Sequence, residues 1–282
     1  MLVKTTRNTE EFISETGEWI AGNPVENSIL LTMLAAAKFR PPTAPPTNWS
    51  RIEDPASDGG PVVGAAAFTP PHLVVLSGMP AAAAAALGAE LGAGPDPLPG
   101  VIGSDPASGA FAEAWSRTTG RPARADRREL VLCLDGPAAP NERPAPSGQS
   151  RAARTEELEL LTDWCLEAAH GARLSREIAR RSVQGQIAGG LLRVWEDDGQ
   201  PVAAVGRTAA VAGVVRYNPV YSRPEARRGG YVRALLAEAV TGQRADGLTG
   251  LAVLGEANTA VQGLFTSLGF RPVGGLSEYR FD

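Results

Sequence analysis

Asn218-Pro219-Val220-Tyr221-Ser222-Arg223-Pro224-Glu225-Ala226-Arg227-Arg228-Gly229-Gly230-Tyr231-Val232-Arg233-Ala234-Leu235 is the stretch on which the reading of the fold turns. It leaves a strand-like run, passes through a basic loop and enters a helix on two adjacent glycines. Such a turn presents successive backbone N–H groups at a helix N-terminus, where the helix dipole also favours an anion. Glycine lets the backbone approach a phosphate with no Cβ in the way, and Arg227 and Arg228 add charged donors at the same place. As physics alone, the segment is a pyrophosphate-binding loop; the competing reading is an ordinary solvated connection, since Gly-Gly before a helix is common.

The sequence around the loop supplies its setting. Residues 155–169 place apolar side chains at three- and four-residue spacing behind an acidic start, which predicts an amphipathic helix. A second helix is expected over 174–186, then strands over 191–196 and 201–206 separated by Asp197-Asp198-Gly199. A third strand over 209–221 leads into the loop; beyond it come a helix over 230–241, a strand over 248–254, a helix over 258–268 and a last strand over 271–281. Antiparallel strands first and crossover helices later predict a mixed α/β fold, a mixed sheet flanked by helices.

The first half repeats this order in blurred form. Helices are expected over 10–20 and 25–38, strands over 62–68 and 73–76, a helix over 81–91 and a strand near Val101, then a helix over 107–117 and a strand over 129–134. Asn23-Pro24-Val25-Glu26-Asn27 reads as a helix start with Asn23 or Pro24 near the cap. No hydrophobic period survives in the Pro-rich stretch that follows, so 137–149 reads as a linker between domains at 1–136 and 150–282.

Composition bounds the function. With 43% hydrophobic and 21% charged residues the chain is that of a soluble globular protein. A net charge of -4 argues against a nucleic-acid surface. No apolar run approaches a bilayer span, and MLVKTTRNTEEF lacks the apolar segment of a secretory signal, so a cytoplasmic location is expected. Cys133 and Cys165 read as buried free thiols, and His72 and His170 stand too isolated for a metal site.

Arg227-x-x-Gly230-x-Val232 resembles the acyl-CoA motif of the GNAT superfamily of N-acetyltransferases: Gln or Arg, two residues, Gly, one residue, Gly or Ala. Val232 stands where the family has a small residue. Asn-Pro-Val-Tyr before the motif and Tyr-x-x-Ala-Leu after it also look like that family. A second segment, Asn258 to Phe270, resembles the family's later Asn-led helix that carries an aromatic and ends in Leu-Gly-Phe. The resemblance covers about residues 150–282, and the chain looks like bacterial tandem GNAT proteins whose N-terminal half has diverged. The first half shows no basic residue at the glycine spacing before the Ala81 helix, so a degenerate domain that binds no CoA is expected there.

What the resemblance implies is a transferase using acetyl-CoA or another acyl-CoA and no metal, with a small-molecule or protein amine as acceptor. The backbone at Val220 and Tyr221 would hold the pantetheine arm, and Arg227, Arg228, Gly229, Gly230, Tyr231 and Val232 the pyrophosphate, with Asn258 also against the cofactor and Phe265 packed against the cofactor or the core. In the family an amine attacks the thioester directly, an N–H here placed at Val220 stabilises the oxyanion, and a general base takes the amine proton. Phe265 stands where many members have a tyrosine that protonates the leaving thiolate, and a phenyl ring has no proton to give. No carboxylate lies in the strand before the loop, which leaves Glu256 and Glu278, and less well Glu196, as base candidates against the bland reading of solvated glutamates. Asp163, Glu167 and Glu177 on the early helices are candidates to attract a cationic amine. The alternative to an enzyme is a pseudoenzyme that binds acyl-CoA as sensor or scaffold.

Overall fold

A computed structural model describes residues 1–37, 43–56, 60–139, 144–169, 174–255 and 258–282. The chain divides into two compact units, Met1–Leu130 with Gly274–Asp282, and Val131–Val273.

In the first unit, β1 (Leu2–Thr6) is followed by α1 (Thr9–Gly22) and α2 (Ser28–Ala37). Asn8 caps α1, its side chain accepting from the backbone N–H of Glu10 and Glu11 ahead of an acidic first turn. The expected helix start at 23–27 is corrected: Asn23 ends α1, and α2 begins only at Ser28. Asn27 is buried and ties this turn inward, its Nδ2 donating to the Ile20 carbonyl. Then come β2 (Asn48–Glu53), β3 (Val62–Phe68), β4 (Val74–Leu76), α3 (Ala81–Ala93), β5 (Gly100–Ser104), α4 (Asp105–Thr119) and β6 (Ala123–Leu134), which is counted with this unit as far as Leu130. An alanine run opens α3, where high helix propensity leaves packing to Leu87 and its neighbours. The antiparallel pairs β1–β2, β2–β3 and β3–β4 precede the parallel pair β4–β5, and α3 is the crossover that a parallel pair requires.

The second unit repeats the pattern. Its elements are β7 (Gln149–Ala152), α5 (Leu158–Ala168), α6 (Arg176–Ala188), β8 (Leu192–Asp197), β9 (Gln200–Arg207), β10 (Val214–Ser222), α7 (Tyr231–Ala245), β11 (Thr249–Gly255) and α8 (Thr259–Thr266); β12 (Arg271–Phe281) ends the chain. Pairs β7–β8, β8–β9 and β9–β10 are antiparallel and β10–β11 is parallel, with α7 as crossover. The repeat that the sequence blurs is therefore explicit in the strand pairing.

Two boundaries differ from expectation. The last strand was expected to complete the second half, but from Gly274 on it belongs to the first unit. There β12 pairs antiparallel with β5, from Leu276 opposite Ser104 to Arg280 opposite Gly100. Phe281 stacks on Trp115 at 3.9 Å and on Phe111 at 6.2 Å, inside the first unit's core. Of the stretch read as a linker, residues 140–143 lie outside the described residues; on either side of them the Ala139 N–H donates to the Leu268 carbonyl, Trp195 Nε1 donates to the Ser147 carbonyl at 2.7 Å, and Gln149 already opens β7. No described helix is long and apolar enough to cross a membrane. Both cysteines are free and buried, and burial pushes each thiol's pKa up.

Candidate functional site

The site grows from the way β10 leaves its neighbours. On one side it pairs with β11 only at Val214, Val215 and Arg216; no pairing continues from Tyr217 to Ser222, although β11 runs on to Gly255. Two parallel strands that part in this way leave a row of backbone groups along the wedge unused by the sheet. On its other side β10 pairs with β9 as far as Ser222, with the register shifted between Tyr217 and Val220. Gln186 reaches in from α6 at this bulge, its Nε2 donating to the Asn218 carbonyl at 2.6 Å and the Arg207 carbonyl at 3.3 Å. The bulge is thus patched by a buried side chain.

Beyond β10 the chain makes a single 3-10 turn at Pro224–Ala226 and reaches α7 through Arg227 to Gly230. Arg228 and Gly230 are left-handed, at φ 70° and 87°. Gly230 is the N-cap and no side chain caps the helix. The first intrahelical bond runs from the Ala234 N–H to the Gly230 carbonyl, so the N–H groups of Tyr231 and Val232 have no carbonyl in the helix. Arg227 and Arg228 are both exposed, and among the described residues neither stands in an ion pair, although Arg227 is near enough to Glu225 to help lower its carboxyl pKa. An uncapped helix end, two exposed guanidiniums and a strand edge left unpaired among the described residues fit a group with a pyrophosphate and an amide-bearing arm.

Tyr231 points away from that end. Its ring lies against Gly229, where any Cβ would collide with it, and its hydroxyl donates to Asp197 at 2.7 Å beside Trp195. Only its backbone serves the loop. Arg233 is turned toward Ser267, just beyond α8. Tyr221 is buried on the α5 side, its ring 5.2 Å from Trp164 and its hydroxyl donating to Glu167 at 2.5 Å. Burial first, then Glu167, pushes the Tyr221 phenol up to about 12.

The expected site residues scatter. Asn258 is the N-cap of α8 but its side chain caps nothing. Phe265 has no exposed surface; it packs edge-on against Phe270 at 4.9 Å and lies 6.1 Å from Tyr217. Its ring is a core element, the second of the two places expected for it, and the first, contact with the cofactor, is corrected: no side of it is open. Tyr217 is likewise buried, donates to Gln243 and has its phenol pKa raised by burial. Glu256 lies outside the described residues. Glu278 belongs to the first unit, opposite Ile102 and ion-paired with Arg280 at 2.5 Å, where burial raises its carboxyl pKa against the pull of Arg280. Glu196 is held by Arg151 at 2.7 Å in a network that also contains Glu157, which marks it as structural. What the sequence reading missed is the Tyr221–Glu167 pair, whose partners stand 54 positions apart and carry no shared local signal.

The corresponding crossover in the first unit is built differently. Only Ser77, Gly78, Met79 and Pro80 separate β4 from α3. The Gly78 N–H donates to Asn27 Oδ1 at 2.9 Å, and the Glu26 side chain lies against Gly78. A carboxylate there opposes a phosphate, and no arginine replaces Arg227.

No protein-family model matches the chain, and no curated protein sequence does. Solved structures do. A GNAT-family acetyltransferase from Colwellia psychrerythraea is similar over 100% of both chains, at 12% identity and a TM-score of 0.61. A Drosophila protein covers 99% of this chain and 98% of its own, at 13% identity and a TM-score of 0.69. A tandem GNAT protein from the clavulanic acid biosynthesis pathway covers 99% and 98%, at 14% identity and a TM-score of 0.53. At these identities the likeness is one of fold, and the chain has the mixed-sheet fold of the GNAT acetyltransferases along its whole length.

Proposed function

We propose that the second unit binds an acyl-CoA, acetyl-CoA foremost, and passes its acyl group to a primary amine of a small molecule or protein. The observation that carries this reading is the uncapped start of α7 behind two exposed arginines, at the end of a strand whose edge among the described residues is unpaired from Tyr217 on. When bound, the cofactor supplies an activated acyl thioester. Arg227, Arg228 and the N–H groups of Tyr231 and Val232 hold its pyrophosphate, with Gly229 and Gly230 keeping the turn clear. The backbone of Val220 and Tyr221 holds the pantetheine arm, and the Val220 N–H faces the carbonyl oxygen on which charge develops. Asn258 contacts the cofactor from α8. Glu256, just past β11, is the base candidate that keeps its place, since Glu196 and Glu278 are engaged elsewhere. The first unit binds no CoA, for want of arginine and because Glu26 stands at its crossover.

Binding without turnover is the second reading, favoured by the full burial of Phe265, which leaves no phenol to protonate a thiolate. One assay separates the two. The protein is incubated with acetyl-CoA and a panel of primary amines while free thiol is followed. Amine-dependent thiol release supports the transferase; saturable acetyl-CoA binding with release no faster than the blank for every amine supports the binding protein.

A further inference from the structure

We infer that Glu167 and Tyr221 form a recognition site for an acceptor that carries a second positive charge besides the amine that reacts. The inference rests on the transferase reading above and begins from three carboxylates on α5 and α6. Asp163 is paired with Arg176 at 2.5 Å, and Glu177 with Arg181 at 2.7 Å. Glu167 has no cationic partner among the described residues; the hydrogen-bond partner of its carboxylate there is the Tyr221 hydroxyl. The two ends of that bond differ in kind. Tyr221 is 7% exposed and fixed by Trp164, whereas Glu167 is exposed at the last turn of α5.

Tyr221 sits on the part of β10 that has parted from β11, next in sequence to Val220. The phenol keeps its proton at neutral pH, so it is a permanent donor that orients the carboxylate while the remaining lone pairs face solvent. A negative charge anchored beside the proposed cofactor strand attracts an ammonium. An ammonium paired there is stabilised in its charged form, however, and a nitrogen must be uncharged to attack a thioester. One nitrogen cannot serve both ends. The acceptor that fits is therefore a diamine or a basic amino compound, bound by one cationic group and acylated on another.

The test uses the whole protein saturated with CoA and titrated calorimetrically with diaminobutane, in the wild type, in Glu167→Gln and in Asp163→Asn. The expected result is saturable diamine binding that weakens at least about tenfold in Glu167→Gln. Acetyl-CoA affinity stays the same in all three, and Asp163→Asn, whose carboxylate is already neutralised, keeps wild-type diamine affinity. In turnover the Glu167→Gln loss falls on KM rather than kcat, because the contact is made before and during transfer alike. No diamine binding in the wild type, or equal affinity in Glu167→Gln, or an equal loss in Asp163→Asn, overturns the inference and leaves the cofactor reading standing. Failure of the wild type to bind acetyl-CoA overturns both.

Discussion

Replacing Phe265 by tyrosine restores, on paper, the hydroxyl that many GNAT enzymes carry in this helix, and the structure predicts that it fails. Phe265 has no exposed surface, with Phe270 edge-on at 4.9 Å and Tyr217 at 6.1 Å. The hydroxyl of its neighbour Tyr217 is already committed: it donates to Gln243 Oε1 at 2.9 Å, and Gln243 Nε2 donates to the Leu248 carbonyl at 2.5 Å. A hydroxyl buried without a partner costs about 1–3 kcal/mol. Fitting the extra atom into a filled core adds about 1 kcal/mol or more. A total of about 2–4 kcal/mol, at about 3 °C per kcal/mol for a unit of this size, lowers the unfolding midpoint by about 6–12 °C. Thermal unfolding followed by circular dichroism reads the first quantity, and thiol release with acetyl-CoA and an amine reads the second, which stays at the wild-type level. A variant with an unchanged midpoint and turnover raised tenfold would place the ring against the reacting thioester and refute the core assignment.

Gln186→Leu removes the donor to the Asn218 and Arg207 carbonyls at the bulge between β10 and β9. Stability falls by about 1–3 kcal/mol, and acetyl-CoA affinity falls severalfold in calorimetry because the bulge no longer fixes the course of β10 through Val220; an unchanged affinity would show that the bulge holds without it. Phe281→Ala strips the last strand of its anchor against Trp115 and Phe111, at a cost of about 3–5 kcal/mol. Amide hydrogen exchange should find that loss in β5 and α4, with acetyl-CoA affinity as in the wild type; a loss of affinity equal to the loss of stability would tie the strand to the cofactor site instead.

Elements with a strong local pattern were legible in the sequence. The run over 62–68 is β3, residue for residue, and the final strand over 271–281 is β12, because apolar side chains mark both. Three strands left no such mark. β1 and β7 are short and mostly exposed, and β2 mixes Trp49 and Ile52 with Asn48, Ser50 and Arg51. Their stability comes from partners far along the chain, which a local period does not report. The strand expected from 209 starts at Val214, since Ala212 and Gly213 take positive φ in a tight turn closed between Val211 and Val214. The turn into α7 was readable because helix start, glycines and arginines are contiguous. The partner of β12, the ion pair that occupies Glu196, the choice between core and cofactor for Phe265 and the Tyr221–Glu167 bond all depend on contacts across the fold, and so were not.

The claim on which the rest depends is that the loop from Arg227 to Val232 binds the pyrophosphate of an acyl-CoA. Calorimetric titration of acetyl-CoA into the wild type and Arg227→Ala tests it most directly. Loss of one charge-assisted contact, about 1.5–3 kcal/mol, predicts saturable binding in the wild type that weakens about tenfold to a hundredfold in the variant. No binding by the wild type, or the same affinity in both, would contradict it.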